Sequence, residues 1–162
     1  MGRASSFIDL EQGGVASKDT MSSIERNIKD KNCSRLYIAG EAPSSIDTVK
    51  QAAAQFDVVV IDSWQKLEIP NTRFDELRSE YPNTVFIVIF QQNGEGGTRG
   101  GVTADYDAPV AIKVHRVDST FQYNYASLQK NRGNKTDLNW IISSSEVVNE
   151  EELATRLDLV QP

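Results

Sequence analysis

A single cysteine, Cys33, and a single histidine, His115, leave this 162-residue chain unable to form an internal disulfide, a Cys-based zinc cluster or a nitrogen-rich metal site. Long apolar runs are missing as well. The longest, Val58 to Ile61 and Val85 to Phe90, fall far short of the ~18 uninterrupted apolar residues that a membrane-spanning helix needs. Met1 to Ser6 has no apolar stretch behind its basic residue, which argues against a secretory signal, although Gly2 with Ser6 weakly fits an N-myristoylation pattern. Positive charge is scarce: 17 Lys and Arg against 23 Asp and Glu give a net charge of −6. Bulk charge therefore does not coat nucleic acid, while a local basic strip can still touch phosphates. What remains, with 39% hydrophobic residues, is one domain's length of chain. A domain of this size buries roughly 70% of its unfolded surface and needs no staples. The cytoplasm is the expected compartment.

The pattern along the chain alternates. Ser6 to Leu10 reads as a buried strand ending in the polar turn Glu11-Gln12-Gly13-Gly14. From Ser17 to Lys31, Met21, Ile24 and Ile28 recur at helical spacing, with Ser17 or Asp19 placed to cap the start. Arg35 to Ala39 reads as a strand. Ser44 and Ser45 then cap a helix running to about Gln55, with Ile46, Val49 and Ala53 on one face. Asp57 to Ser63 holds four consecutive β-branched residues, the signature of a strand covered on both faces. A helix from about Asn71 to Tyr81 stops at Pro82, and Thr84 to Phe90 gives a second fully buried strand. This alternation predicts an α/β fold with a central, mostly parallel sheet flanked by helices.

After Phe90 the character changes. Asn93 to Gly101 holds five of the ten glycines and reads as a mobile loop. Strands over Val110 to Arg116, Phe121 to Leu128 and Leu138 to Ile142 leave no room for helices between them, so they predict an antiparallel C-terminal extension of the sheet. A terminal helix is expected at about 146–158, its first turn rich in Glu. No repeat or interdomain linker interrupts the chain, and the expectation is a single domain over residues 1–162.

Three motifs carry chemistry. Val58 to Ser63 delivers Asp62 at the C-terminal end of a hydrophobic strand, the edge of an open α/β sheet where ligands bind. An aspartate there either holds Mg²⁺ or caps the next turn. Glu11 stands in the same kind of place after Leu10, so one carboxylate can serve a metal while the other polarises a water for attack on a phosphoryl group. Gln91 and Gln92 follow the next buried strand. An amide there can hydrogen-bond a γ-phosphate or the attacking water, unless both are simply exposed loop residues. Trp64 and Trp140 stand beside apolar strand residues and read as packing or interface groups. His115 has no partner identifiable from sequence, and Cys33, between Lys31 and Arg35, reads as a cysteine at a helix exit.

Taken in order, these motifs resemble the RecA-like ATPase core shared by RecA, RadA/Sms and the DnaB-type replicative helicases. Phe7 to Gln12 is similar to the strand ending in the catalytic glutamate, Val59 to Ser63 to Walker B, and Gln91-Gln92 to the nucleotide-sensing position. Ala104 to Arg116 is similar to the acidic-start strand of helicases and RadA, and Leu128 to Gly133 to their Lys-Asn-Arg-Gly segment. The likeness covers roughly residues 5–143. It implies ATP and Mg²⁺ as cofactors, Asp62 as the metal residue, Ser63 beside it at the nucleotide, Glu11 as the water-activating base and Gln91 or Gln92 as the γ-phosphate sensor. Lys130 and Arg132 would act on a neighbouring subunit's nucleotide, which implies a homo-oligomer or another partner subunit. They can equally be a basic turn in solvent. The Gly-rich stretch would match a loop that contacts single-stranded DNA, with Arg99 as its cation. The processes implied are DNA repair, recombination or replication.

One departure governs the rest. The family binds triphosphate through a Gly-rich loop with a Lys-Ser/Thr pair upstream of the glutamate. Here the nearest approach, Gly96 to Thr103, has Val102 where lysine is required and precedes a strand. Gly13 to Lys18 also fails the spacing. The expectation is a domain truncated before the phosphate loop, weak toward ATP alone and completed by a P-loop-bearing partner. The other expectation is a non-catalytic oligomerisation or DNA-associated scaffold.

Overall fold

The computed structural model describes residues 4–28, 35–91 and 108–158. Its contacts divide the chain into two compact units, Met1–Ala104 and Asp105–Pro162. The architecture is mixed α/β: a four-stranded parallel sheet flanked by helices in the first unit, and a four-stranded antiparallel sheet with one helix in the second. Among the described residues the antiparallel strands bond only to one another, so they form a second sheet and do not extend the first.

In the first unit, β1 (Ser5–Asp9), β2 (Leu36–Ala39), β3 (Val58–Asp62) and β4 (Val85–Ile89) lie in the order β2-β1-β3-β4. The pairing of β1 with β3 sets Asp9 directly beside Asp62 at the C-terminal edge. Helices α1 (Lys18–Asn27), α2 (Ile46–Gln55) and α3 (Arg73–Glu80) supply the crossovers. The core holds Ile8, Val59 and Ile61 from the sheet with Val49, Ala53 and Leu77 from α2 and α3. Trp64, 1% exposed, sits in the short 3-10 turn Trp64–Leu67 and packs edge-on against Phe74 with ring centroids 5.6 Å apart.

Four sequence expectations change here. On α1 the buried residue is Thr20, while Met21 is 41% exposed. The helix is turned inward by the hydroxyl of Thr20, which donates to Asp9 Oδ2 at 2.7 Å. Ser17 caps the helix, accepting from the N–H of Asp19 and of Thr20. Ser45, by contrast, makes no cap; its hydroxyl donates to the carbonyl of Leu67 at 2.6 Å. β4 is not covered on both faces. It is an edge strand whose Phe86 and Val88 pack inward while Val85, Ile87 and Ile89 remain 45%, 50% and 41% exposed. β3 alternates too, with Val59 and Ile61 buried and Val58 and Val60 half-buried.

The second unit is a meander of β5 (Val110–His115), β6 (Tyr125–Asn131), β7 (Asn139–Ile141) and β8 (Glu146–Val148), followed by α4 (Glu150–Asp158). The segment from Glu146 to Val148 is thus a strand and the helix begins at Glu150, where the Asn149 side chain accepts from the N–H of Glu152 and the Glu152 carboxylate accepts from that of Asn149. Leu153 and Leu157 of α4 pack on Ile141, Val148 and Tyr125. Val114, Ala126, Trp140 and Val147 are paired in one row across the four strands; Ala126 is buried, while Val114, Trp140 and Val147 are 60%, 47% and 66% exposed. Among the described residues no helix is long and apolar enough to cross a membrane.

Candidate functional site

The C-terminal edge of the parallel sheet is built on Asp9. This carboxylate, 1% exposed, accepts from the N–H of Gln12 at 2.9 Å, the N–H of Gly14 at 3.3 Å and the hydroxyl of Thr20 at 2.7 Å. Three donors on one buried acceptor fold the chain after β1 into a fixed turn, and Glu11 rides on that turn. The turn is also braced by close backbone contact. Gly14 has φ +64°, and a Cβ there would stand 2.7 Å from the Gly40 backbone, so only glycine fits.

Glu11 is exposed, yet it is tied to two distant parts of the chain. Its Oε1 accepts from the Ser63 hydroxyl at 2.7 Å and from the Gln91 side-chain amide at 2.8 Å, partners 52 and 80 positions away. Ser63 is fully buried and follows Asp62 through a cis peptide bond. Three of the residues singled out in sequence, Glu11, Ser63 and Gln91, therefore meet at one carboxylate oxygen.

Asp62 belongs to the same edge. Its carboxyl is pushed above the ordinary aspartate range by burial first, then by the charges of Asp9 and Glu11. It also lines a cavity of about 250 Å³ between α1 and the sheet, together with Gln12, Thr20 and Asn27 over an apolar floor of Phe7 and Ile38. Among the described residues no Lys or Arg lines that cavity, and no three His, Cys, Asp or Glu side chains converge to hold a metal ion. The donor set still suits a hard cation, because Mg²⁺ is commonly held through one or two carboxylates, with waters and substrate oxygens completing the shell. Asp62, whose ionisation is opposed by two neighbouring acids, is the group such a cation would relieve.

Lys130 and Arg132 lie in the second unit, Lys130 next to last on β6 and paired with Ala111, and Arg132 just beyond the strand, its N–H donating to the Pro109 carbonyl. Gln92, Arg99, Cys33 and the Gly-rich stretch fall outside the described residues. Two contributors to the first-unit site escaped the sequence reading. Asp9 was hidden inside an apolar strand, and Gln65, whose Oε1 accepts from the Gln91 backbone N–H at 3.3 Å, carries no motif. In the second unit His115 finds a partner after all: its Nε2 stands 2.7 Å from Ser127 Oγ, and its ring stacks on Tyr125. Burial and then the charge of Lys113 hold that imidazole below its ordinary range.

Comparison with known proteins returned no matching family model and no matching curated protein.

Proposed function

We propose that the chain is a RecA-like, P-loop-superfamily ATPase domain of DNA repair, recombination or replication, and that residues 1–162, which hold no phosphate-loop motif, hydrolyse ATP poorly by themselves. The observation that carries this reading is the Glu11 carboxylate, which receives Ser63 and Gln91 at the shared edge of a parallel sheet. Glu11 is the base for the attacking water, with its position fixed by two hydrogen bonds. Asp62 holds Mg²⁺, which would supply charge neutralisation at the phosphates, and Ser63 stands beside it. Gln91 links the base to the end of β4, the strand it follows, and Gln92 would complete γ-phosphate sensing. Lys130 and Arg132 act in trans on a neighbour's nucleotide, in a homo-oligomer or with a P-loop-bearing partner, where a guanidinium fork suits developing phosphoryl charge. Arg99 contributes to contact with single-stranded DNA.

The test is calorimetric titration of MgATP into the full chain, alone and with a P-loop-bearing partner, alongside hydrolysis assays. Weak binding alone, hydrolysis with the partner and its loss in Glu11→Gln support the reading. Absence of binding and of hydrolysis in both settings removes it.

A second reading is favoured by one separate observation. Val85, Ile87 and Ile89 of β4 and the row Val114, Trp140 and Val147 are exposed apolar surface, the kind of surface an assembly module presents. In that case the fold is a non-catalytic oligomerisation or DNA-associated scaffold, and assembly persists in the Glu11→Gln chain.

A further inference from the structure

We propose that Gln65 is a positioning residue for the Glu11 carboxylate, acting through Gln91. The turn that carries it is held from both ends. Trp64, 1% exposed, is wedged against Phe74 and Phe90, and the Ser45 hydroxyl holds the Leu67 carbonyl at 2.6 Å. From this fixed base Gln65 Oε1 accepts from the backbone N–H of Gln91 at 3.3 Å, and the Gln91 side chain then donates to Glu11 Oε1 at 2.8 Å. Ser63, at the start of the same turn, donates to that same oxygen at 2.7 Å. One turn therefore grips Glu11 twice, directly through Ser63 and indirectly through Gln65. Both bonds use Oε1.

The orientation of the Gln65 amide follows from its partner. An N–H donor can be met only by an acceptor, so Oε1 faces Gln91 and Nε2 faces away. Nε2 is buried and has no partner among the described residues. A side chain that merely filled this space would be better apolar, because a buried unpaired donor is costly. What the amide provides, and an apolar side chain lacks, is the acceptor that fixes Gln91. The catalytic meaning of this clamp rests on reading Glu11 as the base; the clamp itself does not.

The experiment is ¹⁵N–¹H spectroscopy and amide hydrogen exchange on the full chain, with the Gln91 side-chain NH₂ pair assigned by its disappearance in Gln91→Glu. In Gln65→Met the Gln91 backbone amide is expected to exchange roughly fivefold to tenfold faster, as for one lost hydrogen bond. The NH₂ pair should move toward its position in Glu11→Gln. Val59 and Ile61 amides stay protected, which reports an intact sheet. Gln65→Glu keeps an acceptor and is expected to retain Gln91 protection. Unchanged Gln91 signals in folded Gln65→Met overturn the proposal. So does lost protection in folded Gln65→Glu, which also decides the matter should Gln65→Met not fold. MgATP titration of the same samples separates the two ideas: a displaced Gln91 in a chain that takes up no nucleotide keeps the clamp and removes the ATPase.

Discussion

Asp62 is the residue whose charge the fold resists, and the sign of that resistance is measurable. Its folded-state pKa is raised by burial and by Asp9 and Glu11, so the folded chain binds the proton more readily than the unfolded chain does. Stability from this group is present at low pH and is lost as pH rises through the folded-state value. At pH 7 an ionised Asp62 is a liability, and Asp62→Asn is expected to raise stability by about 0.5 kcal/mol, a figure discounted for the solvent that reaches this half-buried carboxyl. Added Mg²⁺ should raise the Tm of the natural chain more than that of the variant. Thermal melts at pH 4 and pH 7, with and without Mg²⁺, check both statements, and a variant that melts lower at pH 7 without the ion contradicts the first. His115 behaves in the opposite sense. Its pKa is lowered in the fold, so its contribution is complete above the unfolded value of about 6.5 and is lost as pH falls through the window beneath it. His115→Gln should flatten the Tm profile between pH 7.5 and pH 5.5. As the chain's one histidine, its ring protons can be titrated directly by NMR without ambiguity.

Among elements, the turn after β1 and the turn after β2 depend on each other. A Cβ on Gly40 would stand 2.6 Å from the Gly13 carbonyl carbon and oxygen, which are backbone and cannot step aside. Gly40→Ala is expected to cost about 1–3 kcal/mol, as overpacking does, and to shift the Gln91 NH₂ signals because Glu11 rides on the displaced turn. Denaturant melts give the first quantity and ¹⁵N spectra the second. Trp64→Ala should cost more, about 3–5 kcal/mol, since it empties the centre of the Phe74 and Phe90 cluster beneath the turn. A loss below 1 kcal/mol would falsify the role given to that ring. The elements themselves were largely readable from the chain. Runs of β-branched residues marked β3 and β4, and helical spacing with Ser17 in front marked α1. What escaped was the environment of each run. Val85 to Phe90 reads the same whether one or both faces are covered, because continuous apolar character carries no period. On α1 the helical spacing put Ile24 and Ile28 on the inward face, where they line the cavity, but it also put Met21 there and missed Thr20, which is buried by a hydrogen bond to Asp9 and not by its hydrophobicity. β8 spans three residues behind a serine-rich turn, too short to leave a pattern.

Over the whole molecule, the candidate site was legible in its parts and not in its wiring. Glu11, Ser63 and Gln91 each follow a strand, which placed them at a common edge; Asp9 and Gln65 bind the arrangement together through backbone N–H groups that no side-chain motif announces. The surface was the least legible feature. A net charge of −6 is spread over a chain that nevertheless shows apolar rows on both sheets. Single exposed hydrophobics are ordinary, but Val114, Trp140 and Val147 lie in one cross-strand row on strands about 4.8 Å apart, with the buried Ala126 between Val114 and Trp140. Ile112, 63% exposed and two residues before Val114 on the same strand face, widens it. On the proposed reading of the chain as an assembly module, this surface is where copies associate. Sedimentation velocity should therefore show association that strengthens with concentration, and Ile112→Lys with Val147→Lys should suppress it. Both positions are solvent-exposed, so the pair of changes should alter stability by no more than about 0.5 kcal/mol each. Raising salt separates the two forces at work: it screens the repulsion between acidic copies while leaving apolar contact intact, so association of the natural chain should strengthen with salt. Association that weakens with salt would instead place the contact on charged groups, and a chain that stays monomeric at every concentration and salt removes the homo-oligomer from the reading of Lys130 and Arg132 acting in trans.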